Sequence, residues 1–438
     1  MVEINYNKYD GSDPEFSQTK IIIITVLLSF VLFISMTGQG IVIPVFPLYV
    51  EVFGGGAFEL GLLIAVYSLT SLVLSPIIGA WADKYGRKIF ILLGLLGFAI
   101  ANVLYTTATS FNELLFYRII EGSTAAGTGA IVNALLIDII PANKRAKYLG
   151  IANGSGFLGI IVGPVLGGFL VSDTNLSLPF LVSAIVALIG MVIAYAILPN
   201  DYQEFKDKNE SKPVFQIPLK QKIDFRPWLI TGASLVFVIT ILIRFSGLMS
   251  WTLIQPAVPI FLYAQKYTPF QVGVFFGFFG IAMFLGQIFF GSLSDKYGRK
   301  IIIQIGVAFY FFGFLSIINT TNLYFFYLAG VLNGIGLSLI VPAIVALLAD
   351  LTREPVHRGK VMAIYYNAFF LAGFVGPLLG GYLDTIITFQ SIVTISIAII
   401  LIQFTLSFFI KVPTGDYEKE VYGTPNEDKY KYDAPLAD

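Results

Sequence analysis

Cysteine is absent from this 438-residue chain, and histidine occurs once, as His357. Without thiols the chain can form no disulfide, no thiolate metal site and no cysteine nucleophile. A single histidine also cannot supply a histidine cluster for a metal. Charged residues are scarce at 12%, whereas soluble domains carry roughly 25%. Because so few charges cannot cover a soluble surface of this size, we expect lipid to surround most of the chain.

Sequence motifs of soluble chemistry are missing as well. The chain contains no GxxxxGK[ST] phosphate loop and no pattern that pairs a nucleophile with a base. Its net charge is zero, which argues against a nucleic-acid partner. We therefore expect neither an enzyme nor a primary pump, with no catalytic residue, no cofactor and no metal site.

The chain instead contains long apolar runs. Hydrophobic residues make up 56% of the chain, and a spanning helix needs about 20 of them in succession to cross about 30 Å of hydrocarbon. Twelve such runs predict an all-α membrane protein with twelve transmembrane helices. The runs lie at 20–50, 58–80, 88–108, 111–139, 148–172, 179–198, 228–263, 269–291, 300–319, 322–349, 360–383 and 388–411.

Polar stretches divide the chain into five predicted parts. These are a cytoplasmic tail at 1–19, a six-helix bundle at 20–198, a cytoplasmic linker at 199–227, a second six-helix bundle at 228–411 and a cytoplasmic tail at 412–438. Lysine and arginine are concentrated in the loops on one side of the membrane, and only Lys266 falls in the loops on the other. Since positive loops stay in the cytoplasm, we expect both termini there, in a multi-pass protein of the plasma membrane.

An internal repeat relates the two bundles at an offset of 212 residues. The loops at 79–88 and 291–300 end in the same six letters, DKYGRK. A shared polar string at a register held over several spans indicates duplication, which is typical of transporters whose bundles move around a central site. Other matched pairs are Pro44 with Pro256, Pro47 with Pro259, Asp138 with Asp350 and, at an offset of 213, Gly163-Pro164 with Gly376-Pro377.

These motifs resemble the major facilitator superfamily over nearly all of residues 20–411. Both loops carry that superfamily's GxxxD(K/R)xGRK signature, and 117–122 (YRIIEG) is similar to its RxxQG element with Glu121 in place of glutamine. Residues 154–168 resemble the GxxxGPxxGG element of the drug:proton antiporter branch. The resemblance implies two pseudo-symmetric six-helix bundles that transport a small molecule by alternating access.

In that superfamily the duplicated loop acts as a cytoplasmic latch whose ion pairs form in one access state. The resemblance assigns this role to both copies, and the alternative is a positive anchor that only sets topology. The residues concerned are Gly79, Asp83, Gly86, Arg87, Lys88, Gly291, Asp295, Gly298, Arg299 and Lys300, assisted by Asp138 and Asp350.

Glycines about one helical turn apart form a stripe on the fifth span, where another helix can approach closely. Pro164 removes one backbone hydrogen bond and favours a bend. The stripe can serve as a hinge or sliding surface, or it can be static packing. The residues are Gly159, Gly163, Pro164 and Gly167, with Gly376, Pro377 and Gly380 as the counterpart in the eleventh span.

Arg118 and Glu121 lie three residues apart on the predicted fourth span. Glu121 is about 15 Å from the span's outer end, close to the membrane midplane. At this spacing the two side chains can form an ion pair within the helix. We predict a carboxylate that loads and releases protons; a static, self-neutralising pair is the alternative. The first span has no acidic residue between Lys20 and Glu51, which counts against proton coupling.

Arg244 is a further charge predicted within the membrane, about 18 Å from the start of its span. An arginine at that depth needs an anion, either a carboxylate on another helix or a group of the substrate. Most single polar residues in such helices join helix to helix, and a minority contact substrate. With Arg244, the substrate-binding candidates are Gln39, Trp251, Gln287, Asn133, Asn333, Tyr365 and Asn367.

The leading hypothesis is a proton-coupled exporter of a small amphipathic or anionic molecule. We expect a monomer in the lipid bilayer, with a small-molecule substrate and protons as its partners. Three alternatives stay open: an uptake symporter for a sugar or organic acid, a lipid flippase, and a receptor or assembly factor that does not transport.

Overall fold

The computed structural model describes residues 18–140, 145–171, 175–198, 234–290, 293–352 and 358–410. Within these ranges twelve helices are long and apolar enough to cross a membrane, which confirms the predicted number. The predicted linker and C-terminal tail lie outside the described residues, as does most of the N-terminal tail. We number the long helices as spans 1 to 12: Gln18–Val42, Ala57–Tyr85, Arg87–Thr106, Phe111–Ile139, Arg145–Leu170, Leu178–Ile197, Ser234–Ile254, Pro269–Phe290, Arg299–Ile317, Leu323–Asp350, Arg358–Asp384 and Phe389–Phe408.

Two of the apolar runs, 20–50 and 228–263, are each divided into a long helix and a short one. Span 1 ends at Val42, and a short helix follows at Phe46–Val52. Span 7 ends at Ile254 and is continued by Ala257–Ala264. A proline lies in each turn, and because proline has no N–H group it cannot continue the hydrogen bonding of the helix before it.

Spans 2 and 3 are joined by Gly86 alone, at a φ angle of +94°. Gly298 has the same conformation, with φ of +91°, at the start of span 9. Positive φ angles of this kind suit glycine because it has no Cβ atom. Both copies of the DKYGRK loop therefore turn by the same backbone geometry.

Helix packing repeats between the halves. Span 1 packs on spans 5 and 6, span 4 on spans 2 and 3, and span 3 on span 6; spans 7 to 12 pack in the same order. Each half surrounds its own apolar core. Between the halves, span 2 packs along span 11 and span 5 along span 8, which are equivalent pairs under the repeat.

Several contacts between the halves lie at one end of the molecule. Following the predicted orientation, we call the end that holds residues 53–56 and 265–268 the outer end. There Gly61 lies against the carbonyl of Pro377, and Gly273 against the carbonyl of Pro164. The Tyr263 hydroxyl also donates a hydrogen bond to the Pro44 carbonyl oxygen, at 2.5 Å. These described contacts hold the two halves together at the outer end.

Candidate functional site

Span 4 carries a buried ion pair in its outer half. Arg118 Nη1 lies 2.6 Å from Glu121 Oε2, and the Glu121 side chain is 1% exposed. Arg118 and Glu121 thus form the ion pair that their three-residue spacing predicts. Its part in proton coupling stays a prediction.

Other spans complete a cluster around this pair. The Tyr105 hydroxyl, on span 3, donates to the same Glu121 Oε2 at 2.7 Å. The Arg118 guanidinium lies 3.9 Å from the ring centre of Phe46 and 5.4 Å from that of Tyr67. Charge-assisted hydrogen bonds and cation–π contact both favour the ionised pair in this apolar setting. We call these five residues the N-terminal charge cluster.

Sequence reasoning missed the three aromatic members of this cluster. Tyr105 and Tyr67 lie on other spans, and Phe46 follows the break in span 1. The one sequence signal for these aromatic residues was Tyr105, a polar aromatic near the end of the apolar run 88–108. Because Phe46 packs on Arg118, the cluster connects the short helix at Phe46–Val52 to spans 2, 3 and 4.

Arg244 occupies the middle of span 7 and is 8% exposed. Its guanidinium lies 5.1 Å from the ring centre of Tyr365 and 5.0 Å from that of Phe369, both on span 11. Among the described residues no carboxylate lies within ion-pair distance, and its Nε has no hydrogen-bond partner. Of the two anion sources that the sequence left open, the described helices do not supply the first, a carboxylate on another helix.

Two buried hydroxyls lie near this arginine. Tyr310 on span 9 and Tyr365 on span 11 are 0% and 2% exposed. Neither hydroxyl has a partner within hydrogen-bond distance in the described part of the chain, but the Tyr310 hydroxyl lies near the Ser250 side chain of span 7. Both lie within electrostatic range of the Arg244 charge. We call Arg244, Tyr310, Tyr365 and Phe369 the C-terminal charge cluster.

The glycine stripe of span 5 faces span 1. A methyl group at Gly159, Gly163 or Gly167 would overlap backbone atoms of span 1, since no room remains for a Cβ atom. In span 11, a methyl group at Gly380 would overlap the backbone of Leu253 of span 7, and one at Gly376 would overlap the Thr252 side chain. Pro164 and Pro377 lie inside helices that continue past them. The stripes are close-packed surfaces, and their action as hinges stays a prediction.

The second DKYGRK loop forms a charged cluster at the end opposite the outer end. Arg299 contacts Asp295 and Ser294 through Nη1, and its Nε donates to Asp350 at 3.1 Å. In the first loop, the side chains of Asp83 and Asp138 lie outside the described part of the chain, as does Gly291 of the second.

Both loops also bind the end of a distant helix, which the sequence did not indicate. Lys88 Nζ donates to the carbonyl oxygen of Leu198 at 2.6 Å, just past span 6. Lys300 Nζ donates to that of Phe408, the last residue of span 12, also at 2.6 Å. A lysine is favourable at a helix C-terminus because carbonyl groups are left unpaired there. Gly79, by contrast, faces open space.

Comparison with known families identifies this arrangement. The model of the Major Facilitator Superfamily matches residues 28–248 and 240–427. The chain belongs to the Major Facilitator Superfamily.

Relatives of this superfamily member include named resistance proteins. It is 28% identical over 378 residues to multidrug resistance protein 2 of Bacillus subtilis, covering 82% of this chain and 88% of the relative. It is 25% identical over 358 residues to the quinolone resistance protein NorA of Staphylococcus aureus, covering 82% and 89%. These relatives agree with the resemblance to the drug:proton antiporter branch.

Solved structures share the fold of this superfamily member. A bacterial homologue of the human lysosomal transporter Spinster matches with a TM-score of 0.70 at 16% identity, covering 93% of this chain and 98% of that one. The human organic anion transporter MFSD10 matches with a TM-score of 0.65 at 18% identity, covering 88% and 99%. The protein is thus a secondary transporter of small molecules and a multi-pass plasma-membrane protein, not an enzyme.

The remaining substrate-binding candidates of this superfamily member differ in their surroundings. Asn333 is 1% exposed and packs against Gly313, so in this conformation it joins spans 10 and 9. Asn133 exchanges hydrogen bonds with Asn153 of span 5, at 3.2 and 3.0 Å. Trp251 stacks on Phe279, with 4.5 Å between ring centres. Gln39 and Gln287 are partly exposed, and Asn367 is exposed.

Proposed function

We propose that this transporter is an exporter that exchanges a small amphipathic or anionic molecule for protons by alternating access. The buried Arg118–Glu121 pair is the observation that carries proton coupling. The direction is supported by the relatives, which are named for multidrug and quinolone resistance.

Glu121 is the proposed proton carrier. It is nearly sealed from solvent, and its oxygen Oε2 accepts from both Arg118 and Tyr105. Protonation removes the negative charge that these two donors stabilise, so the pair weakens and Arg118 is left without its anion. Because an ionisable group at this depth is stable only with its partners, the protonated cluster favours a different arrangement of the helices.

Protonation of Glu121 is proposed to be coupled to movement of the cargo by alternating access. In this conformation the halves are in contact at the outer end through Gly61, Gly273 and Tyr263. Phe46 links the N-terminal charge cluster to the short helix beside this contact. Protonation of Glu121 from outside is proposed to accompany opening of the outer end. The ion pairs of Arg299 with Asp295 and Asp350, which are already formed in this conformation, are proposed to be part of the latch at the inner end.

The protein is further proposed to act as a monomer with both termini in the cytoplasm. The distribution of lysine and arginine supports this orientation, with Lys266 alone on the outer side.

Inside-out vesicles that contain the protein test the proposal. The probe is norfloxacin, a fluorescent quinolone that carries a carboxylate, and the gradient is an acidified vesicle lumen. We expect uptake that requires the gradient, stops with a protonophore, and loses its dependence on the gradient in Glu121→Gln. Uptake driven by the opposite gradient would indicate a symporter, and gradient-driven uptake that persists in Glu121→Gln would contradict the role of this carboxylate.

A further inference from the structure

The charge of Arg244 is not balanced within the described structure. A guanidinium group stays protonated in proteins, so burial does not neutralise it. Ring contacts with Tyr365 and Phe369 offset only part of the cost of placing a cation at the middle of a span. The described helices offer this guanidinium no carboxylate. Within the described helices the charge therefore has no carboxylate partner.

Two further donors near Arg244 have no acceptor within hydrogen-bond distance among the described residues. The hydroxyls of Tyr310 and Tyr365 are buried and make no hydrogen bond among the described residues. A buried polar group without a partner costs free energy, and native structures contain few of them. Here two such hydroxyls, from spans 9 and 11, accompany the unpaired Nε of Arg244 on span 7. A single ligand group with several acceptor oxygens would satisfy them together.

The internal repeat shows that this cluster is not part of the shared scaffold. At the repeat offsets, Arg244 corresponds to Leu32, Tyr310 to Phe98 and Tyr365 to Ala152. All three counterparts are apolar and buried. The N-terminal half therefore has buried apolar residues at these three positions, whereas the C-terminal half has hydrogen-bond donors there.

We propose that Arg244, Tyr310 and Tyr365 form a site for one carboxylate or phosphate group of a small-molecule cargo. The inference deepens the proposed function, on which it rests, because it names the chemical class of the cargo. The aromatic rings lie over the guanidinium, so an anion approaches its N–H edge, where arginine binds carboxylate and phosphate oxygens in pairs. A cationic cargo would meet a like charge here.

An anionic lipid headgroup offers the same chemistry as an anionic cargo. Arg244 lies at the middle of span 7, about 15 Å from either end of that helix. A headgroup would have to leave the membrane surface to reach it, whereas a small molecule reaches the midplane in the normal course of transport. The site is therefore assigned to the cargo, and lipids serve as a separate arm of the test.

The test is ligand-induced thermal stabilisation of the purified full-length protein in a neutral maltoside detergent at constant pH. Three probes share one ring system and differ in their head group: 1-naphthoate, 1-naphthamide and 1-naphthylmethylamine. A ligand that binds the native state raises the melting temperature with concentration. We expect 1-naphthoate to do so and the amide and the amine not to. Dioleoyl phosphatidylglycerol, compared with dioleoyl phosphatidylcholine, is expected to add no specific shift.

Variants assign the binding to the cluster. Arg244→Gln is expected to weaken 1-naphthoate binding at least about tenfold, since a charge-assisted hydrogen bond is lost. Tyr310→Phe, which keeps the ring, is expected to weaken it about three- to tenfold. Arg244→Lys keeps the charge and should retain part of the affinity, which shows that a loss in Arg244→Gln is not misfolding. Lys266→Gln removes a loop charge at the outer end and is the matched control.

Several results would overturn the inference. They are no shift with 1-naphthoate, an equal shift with the amine, an equal shift in Arg244→Gln, and a shift produced by phosphatidylglycerol alone. Because binding is measured without a proton gradient, it is independent of coupling. If binding fails while vesicles still export norfloxacin, only the anion site is wrong; if binding holds while gradient-driven export fails, only the proposed function is wrong.

Discussion

The two halves of this transporter each bury a cationic side chain, but they treat the charge differently. Arg118 is paired with Glu121, which also accepts from Tyr105, so its charge is balanced within the N-terminal charge cluster. Its Nε, like that of Arg244, has no hydrogen-bond partner among the described residues. Arg244 has aromatic neighbours and no described anion. The two halves thus share a scaffold but differ in the partners that the described helices give to the buried cation.

The largest expected contrast is in stability. Arg118→Gln leaves the Glu121 carboxylate buried without its cation, which should cost about 3–5 kcal/mol. Arg244→Gln removes a charge that has no described partner, so stability should be unchanged or higher. Melting temperatures of the two variants provide the comparison.

A double variant serves as the control for this contrast. Arg118→Gln combined with Glu121→Gln leaves two neutral side chains that can hydrogen-bond, and it should recover much of the stability lost in Arg118→Gln. Equal melting temperatures for Arg118→Gln and Arg244→Gln would show that the two clusters are energetically alike.

The second contrast concerns features that the halves share. Gly167→Ala and Gly380→Ala each place a methyl group against the backbone of a neighbouring span. Overpacking of this kind typically costs about 1–3 kcal/mol, and we expect similar losses in both halves because the packing is duplicated. Gly79→Ala is the matched control, since no atom lies near the added methyl group. A large loss in only one half would contradict the shared scaffold.

A smaller contrast compares the tyrosines. Tyr105→Phe removes a hydrogen bond to a charged carboxylate, which should cost about 1.5–3 kcal/mol. Tyr310→Phe removes a hydroxyl with no described partner and should cost nothing in the absence of ligand. Thermal stability of the two variants without ligand measures the difference, and equal losses would mean that the Tyr310 hydroxyl is already satisfied.

The sequence predicted what depends on local spacing and on the repeat. Twelve apolar runs correspond to twelve described spans, and the three-residue separation of Arg118 and Glu121 produces their ion pair. The glycine stripes meet neighbouring helices as their periodicity indicates. Such features can be predicted from helix geometry and from the amino-acid sequence of a single segment.

Other features depend on contacts between segments that are distant in sequence. Tyr105 and Phe46 reach the ion pair from other helices, and neither position is marked by a motif. Lys88 caps a helix that ends more than 100 residues later. For Arg244 the sequence showed that an anion is needed. It could not show that the described neighbouring helices offer no carboxylate, because this depends on contacts between distant segments.

One binding measurement tests most directly whether an anion binds at the C-terminal charge cluster and not at the N-terminal charge cluster. Thermal stabilisation by 1-naphthoate is compared in Arg244→Gln and in the double variant Arg118→Gln/Glu121→Gln. Our account predicts that Arg244→Gln loses the stabilisation and that the double variant keeps it, because only the C-terminal cluster holds the anion. Loss of stabilisation in the double variant with retention in Arg244→Gln would contradict it.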